Sequence, residues 1–357
     1  MREKAVTKNR NSSVELLRII AILGVVILHY NNAAIGGAFK YVPSPSLKEY
    51  YLFFTECLFI AGVNIFYMIS AYYLSKSNKR KLSKVVDLII QVIIFNIMFY
   101  IVNILKGGNL SFKGLFYTLL PANYFVTFYA VIYIISPYIN ILINKLNKKQ
   151  FKKLVIIMFI IFSLITTFVD IINNIFNSNI YGLSPVSMFG SDSGYTIINV
   201  ILVYLIGAYI GKNKINIKRV KNISLIMILV LLLFGWVMLE RKLGFSSITG
   251  FHYNNPLVIL ISAFTIILFT NINFNNKVIN ELAKATFTCF IFHIHYISYF
   301  GIEKFAQSNL IILIIHQFFV SIFLFIVSYI VYKVYSFFIK YINRIIHPLC
   351  NKINIEV

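Results

Sequence analysis

The sequence predicts an all-α polytopic membrane protein of about ten transmembrane helices, with both termini in the cytoplasm and no soluble domain. Three observations carry this expectation. Hydrophobic residues make up 59% of the 357 and charged residues only 12%, about half the charged content of ordinary soluble domains. The apolar residues gather in runs of about 18 or more, the length that crosses a hydrocarbon core. The basic residues fall in short clusters between those runs, and the clusters alternate in density.

The runs lie at 14–33, 52–74, 83–105, 124–143, 154–172, 196–211, 223–239, 256–271, 282–300 and 310–332. The sixth is short, and the tenth can continue as an amphipathic helix to about residue 345. Helices are required because lipid offers no other partner to backbone polar groups, and the runs are too long for barrel strands. With the N-terminus inside, only seven of the 33 Lys and Arg residues fall in outer loops: Lys40, Lys48, Lys106, Lys113, Arg241, Lys242 and Lys304. Arg18 lies within the first span, and the rest, from Arg2, Lys4, Lys8 and Arg10 to Lys352, fall inside. That bias places both termini in the cytoplasm and supports an even number of spans.

A formal charge of +22 would suit a nucleic-acid partner, but basic clusters set between apolar segments are topogenic, so none is expected. The partner they imply is the lipid bilayer, with the protein multi-pass in a bacterial cytoplasmic membrane. The N-terminus has the layout of a signal peptide and reads as an uncleaved anchor. Cys57, Cys289 and Cys350 are too dispersed for a disulfide framework or a zinc site. No internal repeat stands out. Pro137 and Pro256 are the main candidates for kinks, so broken spans, a mark of many transporters, are expected to be scarce.

Polar groups at membrane depth point to function, because ionisable residues in spans usually face an interior cavity. Arg18 and His29 are eleven residues apart, which puts them on one helix face about 16 Å apart along the axis. Glu15 lies one turn before Arg18 and can pair with it. Glu56, near the start of the second span, comes to a depth similar to His29, with Asn64 and Ser70 further in. Taken singly, Arg18 would pass for a snorkelling residue, Glu56 for a solvated flank and His29 for an interfacial one; together they mark a polar path. His293 and His295 are two apart on a helix and point in directions about 160° different, so no metal pair is expected. His252, His316 and His347 read as structural or solvated. The cluster "SKSNKRKLSK" (75–84) is either topogenic or a phosphate-docking surface.

Several segments resemble the acyltransferase-3 family of integral membrane acyltransferases. "ELLRIIAILGVVILHY" is similar to its first helix, a basic residue, ten residues, then His, which Arg18 and His29 fit. "GVNIFYMISAYYLSK" resembles the second helix, with Ala71 where Gly is usual. "NYFVTFYAVIYIISPYINILI" resembles the fourth, starting at Tyr124–Phe125 and carrying Ser136–Pro137. "NNPLVILISAFTIILF" and "FTCFIFHIH" resemble the eighth and ninth, the latter placing His293 at a family histidine position. The resemblance covers essentially the whole chain.

It implies a single transmembrane acyltransferase domain over 1–345 and a cytoplasmic tail over 346–357. The implied reaction moves an acyl group, most often acetyl, from cytoplasmic acyl-CoA to a hydroxyl of an extracytoplasmic or lipid-linked surface polysaccharide. On that reading His29 is the general base and Glu56 orients it; Arg18, Arg80 and Lys84 bind the CoA phosphates. Glu15, Asn64, Ser70, Tyr124 and His293 line the substrate path, with acetyl-CoA or another acyl-CoA as donor and no metal. Two rivals stand beside it. One is a transporter or flippase for a lipid-linked sugar or small anion, without chemistry. The other is a lipid-modifying membrane O-acyltransferase whose base would be His293 or His316.

Overall fold

The computed structural model describes residues 11–350 and 354–356. The basic residues Arg2, Lys4, Lys8, Arg10 and Lys352 lie outside the described residues. The first span is helix α1 (Ser12–Asn31), started by the Asn11 side chain accepting from the Ser13 N–H. Such a cap satisfies one of the amides that a helix leaves unpaired at its start. The second is a pair, α2 (Leu47–Phe59) and α3 (Gly62–Leu74), with α2 capped by Ser46. There follow α4 (Ser83–Leu105) and α5 (Tyr124–Asn144), the latter capped by Asn123. Helix α6 runs over Lys148–Phe176 from an Asn147–Gln150 capping box. Next come α7 (Ile197–Asn213) and α8 (Arg219–Lys242). Helix α9 (Pro256–Thr270) has its proline in the first turn, where the missing N–H costs nothing. Helices α10 (Thr286–Tyr296) and α11 (Leu310–Cys350) close the bundle.

Among the described residues, eight helical segments are long and apolar enough to cross a membrane, and this is an all-α membrane protein. They coincide with eight of the ten expected runs. The other two differ. Helix α7 has only 17 residues, and the run 282–300 is cut into an α-turn ending at Leu282, a 3-10 turn at Ala283–Ala285, α10, and a second 3-10 turn at Ile297–Phe300.

Two spans carry a local irregularity. Ile60 and Ala61, both in right-handed helical conformation, separate α2 from α3 within one 28-residue span, and α6 passes through a π-helical stretch at Ile160–Ile165. Neither irregularity is at a proline, whereas Pro137 sits inside the continuous α5. Within the π stretch the Ser163 hydroxyl donates to the Asn254 carbonyl at 2.6 Å, a tertiary bond that local sequence does not announce.

Burial separates centre from periphery. The most apolar windows of α1 and of the α2–α3 segment are 72% buried, against 22% for α4, α6 and α8. Helix α1 packs against α2, α3, α9, α10 and α11. Helix α7 lies along α3 so closely that a Cβ on Gly207 would meet the Met68 carbonyl oxygen at 2.7 Å. One turn on, Gly211 meets the Tyr72 carbonyl in the same way. Small residues allow such backbone approach in membranes, where apolar burial alone does not drive helices together.

The two ends of the bundle are tied by different groups. At the Ser12 end, the Ser12 hydroxyl binds Asn280 at 2.8 Å and Asn140 holds the Leu74 and Ser77 carbonyls. At the His29 end, Lys48 reaches the Ala306 and Ser308 carbonyls and Arg241 pairs with Glu49 at 2.6 Å. Helix α11 passes residue 345 without interruption, its His347 bonding Asp87 at 2.7 Å. Strand β1 (Lys79–Lys81) then pairs antiparallel with β2 (Asn354–Glu356), so the segment expected to be a tail is joined to the body.

Replacing Gly207 by Val should lower the thermal midpoint in detergent by an amount matching about 1–3 kcal/mol of overpacking. An unchanged midpoint would mean that α3 and α7 are free to separate.

Candidate active site

Helix α1 delivers both polar groups that its period placed on one face. His29 lines a cavity of about 590 Å³ together with Glu56, Tyr124, Tyr195, Tyr253 and His295. Arg18 lines a smaller cavity, about 230 Å³, with Ser70, Phe125 and Tyr129. Phe290 belongs to both walls, and its ring meets that of Phe125 with centroids 5.1 Å apart. The two chambers therefore abut across an aromatic partition.

The protonation of His29 follows from its partners. His293, fully buried, places Nδ1 at 2.6 Å from the Cys289 carbonyl oxygen. A carbonyl only accepts, so this nitrogen carries the hydrogen, and in the neutral ring Nε2 is left with a lone pair. That Nε2 lies 2.6 Å from His29 Nδ1, the rings nearly parallel at 14°. His29 must then donate through Nδ1, which leaves its Nε2 as an unprotonated acceptor. One carbonyl thus sets the tautomer of two histidines in series, and the last nitrogen of the series, His29 Nε2, is left with a free lone pair.

Glu56, expected to orient His29, has a different hydrogen-bond partner. Its carboxylate accepts from Asn31 Nδ2 at 2.9 Å. Asn31 is held in turn by Gln317 at 2.6 Å, and Gln317 accepts from the Tyr51 hydroxyl. Glu56 shares the cavity wall with His29, but among the described residues the partner of the His29 ring is His293. The carboxylate is anchored by α1 and α11 instead.

Other expected residues are placed as follows. Glu15 pairs with Arg18 at 3.3 Å. Ser70 lines the Arg18 chamber and donates to the Phe66 carbonyl at 2.9 Å. Tyr124 meets Tyr195 edge-on at 4.9 Å, and Tyr195 meets Tyr253 at the same distance, forming an aromatic wall to the His29 chamber. Asn64, expected on the substrate path, is buried and donates to the Tyr253 carbonyl at 2.7 Å. It fixes the loop that carries that wall.

Arg80 departs furthest from expectation. It is 3% exposed, and its guanidinium donates to the Ser136 hydroxyl at 2.8 Å and to the carbonyls of Leu74, Ser77 and Lys79 at 2.7–2.9 Å. Those bonds fold the loop between α3 and α4, and they occupy the donors a phosphate would need. Lys84 is exposed on the first turn of α4 and lines neither chamber. Of the three expected phosphate ligands, Arg18 alone faces a cavity.

Sequence reasoning missed Asn31, Gln317, Tyr195 and Tyr253. It also missed the stacking of His295 on Phe99 at 3.7 Å, beside the cavity. His316 is buried, with Nδ1 2.8 Å from the Tyr30 hydroxyl and its ring on Phe305.

Fold and site together define a polytopic helical membrane protein in which a cavity-lining histidine, His29, is bonded to a buried one, His293. The sequence matches the acyltransferase-3 family, described as an acyltransferase domain, over residues 11–333. The chain belongs to that family and is a membrane acyltransferase. No curated protein and no solved structure matches it.

Arg80→Ala should lower the thermal midpoint by several degrees, since bonds to a charged donor contribute about 1.5–3 kcal/mol each. A variant with full stability and weakened donor binding would return Arg80 to the site.

Proposed function

We propose that this protein moves an acyl group, most often acetyl, from cytoplasmic acyl-CoA to a hydroxyl of an extracytoplasmic or lipid-linked surface polysaccharide in a bacterial cytoplasmic membrane, with His29 as general base. The observation that carries the reading is the Cys289–His293–His29 relay, which presents an unprotonated imidazole nitrogen to a chamber of about 590 Å³.

The acceptor enters against Tyr124, Tyr195 and Tyr253, whose rings suit the apolar faces of a sugar. His29 Nε2 removes the hydroxyl proton as the oxygen attacks the thioester carbon, a step in which a placed base contributes about 10²–10⁴-fold. The positive charge gained is shared with His293 through the 2.6 Å bond. When the C–S bond breaks, the proton passes from His29 to the leaving thiolate. Arg18 holds a CoA phosphate at the other chamber, its position fixed by Glu15. The arm of the donor reaches His29 by displacing the ring of Phe290.

The test is transfer from radiolabelled acetyl-CoA to candidate glycans by purified protein. His29→Ala should reduce transfer by about 10²-fold or more while the protein stays inserted, and His293→Ala should reduce kcat with little change in acceptor KM. Arg18→Ala should raise the donor KM. Normal transfer by His29→Ala would remove that residue from the mechanism.

A further inference from the structure

A second reactive constellation lies at the His29 end, in a polar cavity of about 420 Å³ lined by Asn173, Asn177, Ser178 and Asn179. On its wall the Ser247 hydroxyl is 3.1 Å from His252 Nε2, and His252 Nδ1 is 3.1 Å from Asp170 Oδ2. The carboxylate accepts from Nδ1–H, so Nε2 holds the lone pair and Ser247 is the donor. Asp170 is 9% exposed and His252 7%, whereas Ser247 is exposed to the cavity. Asp170 is itself fixed by the Ser191 N–H at 2.9 Å and the Ser191 hydroxyl. Ser247 is held by Asn174, whose amide donates to the Ser247 carbonyl at 2.8 Å.

A serine next to a base, with the base oriented by a buried carboxylate, is the arrangement that activates an oxygen nucleophile. We propose that Ser247, His252 and Asp170 form a serine esterase or transesterase centre that takes the acyl group of a carbohydrate ester. The amides and hydroxyls around it suit a sugar, and the same two loops, around residues 191–195 and 247–253, also line the His29 chamber. This centre does not depend on His29 being a base.

In the step, Ser247 Oγ attacks the ester carbonyl as its proton passes to His252 Nε2. The C–O bond to the sugar breaks and the leaving alkoxide takes that proton back, leaving an acyl-serine and a free hydroxyl. A hydroxyl of water or of a second sugar then gives its proton to His252 and attacks the acyl carbon. Ser247 leaves with the proton, and the product is a free acid or a new ester.

The full-length protein in detergent, treated with a fluorophosphonate probe, should carry the phosphonate on the peptide containing Ser247. Ser247→Ala, which removes one exposed hydroxyl, should abolish that adduct at an unchanged thermal midpoint. Asp170→Asn, which keeps an acceptor for the Ser191 N–H, should slow labelling about 10²-fold or more. With p-nitrophenyl acetate, wild type should release acetate and the Ser247→Ala protein should not. Folded wild type that leaves Ser247 unmodified, or ester hydrolysis that survives Ser247→Ala, would overturn the proposal and leave these bonds as loop fastenings.

Discussion

The hydrogen-bonding state of His29 depends on a carbonyl that cannot donate. The Cys289 oxygen sits in α10, where the Nδ1–H of His293 reaches it. That single acceptor determines which nitrogen of each ring holds hydrogen, two rings away from the bond that sets it. Were α10 a regular helix through its whole length, its register relative to α1 would be fixed by ridge packing alone. The 3-10 turns that bracket it, at Ala283–Ala285 and Ile297–Phe300, leave it as a short piece seated separately against α1 and α11. The irregularity of this segment, which lowers its length as a span, goes with its position beside the site.

Much of the fold was legible because the bilayer imposes a simple code. Apolar runs gave the helices, and charge alternation gave a threading. The 3.6-residue period placed Arg18 and His29 on one face from spacing alone, and each lines a chamber. The His29–His293 bond was not legible, since the partners are 264 residues apart and no local pattern joins them. Arg80 looked like a phosphate ligand because a basic cluster is visible in sequence, while the carbonyls that claim it are not. Irregular helix was sought at prolines; the π-helical stretch instead lies where the Ser163 hydroxyl bonds the Asn254 carbonyl. It is the family match, not a scarcity of broken helices, that separates an acyltransferase from a carrier.

The polar residues of the bundle fall into two kinds with different physical roles. Asn64, Asn140, Asn31 and Gln317 use side-chain amides to fix loops or neighbouring helices, each bonding a polar group in a low-dielectric interior where an unpaired one is costly. His29, Arg18 and Tyr124 instead line cavity walls. Asn64 was expected on the substrate path as a polar residue at membrane depth, and Tyr124 through the resemblance of the fourth helix. Burial and partners, not residue type, tell them apart.

The ring of Phe290 between the two chambers has a consequence for the cell as a whole. A tunnel open from one side of a membrane to the other would let protons leak and dissipate the electrochemical gradient. With the rings of Phe125 and Phe290 5.1 Å apart, the contact between the two chambers is apolar, and such a surface solvates neither water nor ions. Under the proposed mechanism the arm of the donor would displace that ring, so one side chain would serve both insulation and passage.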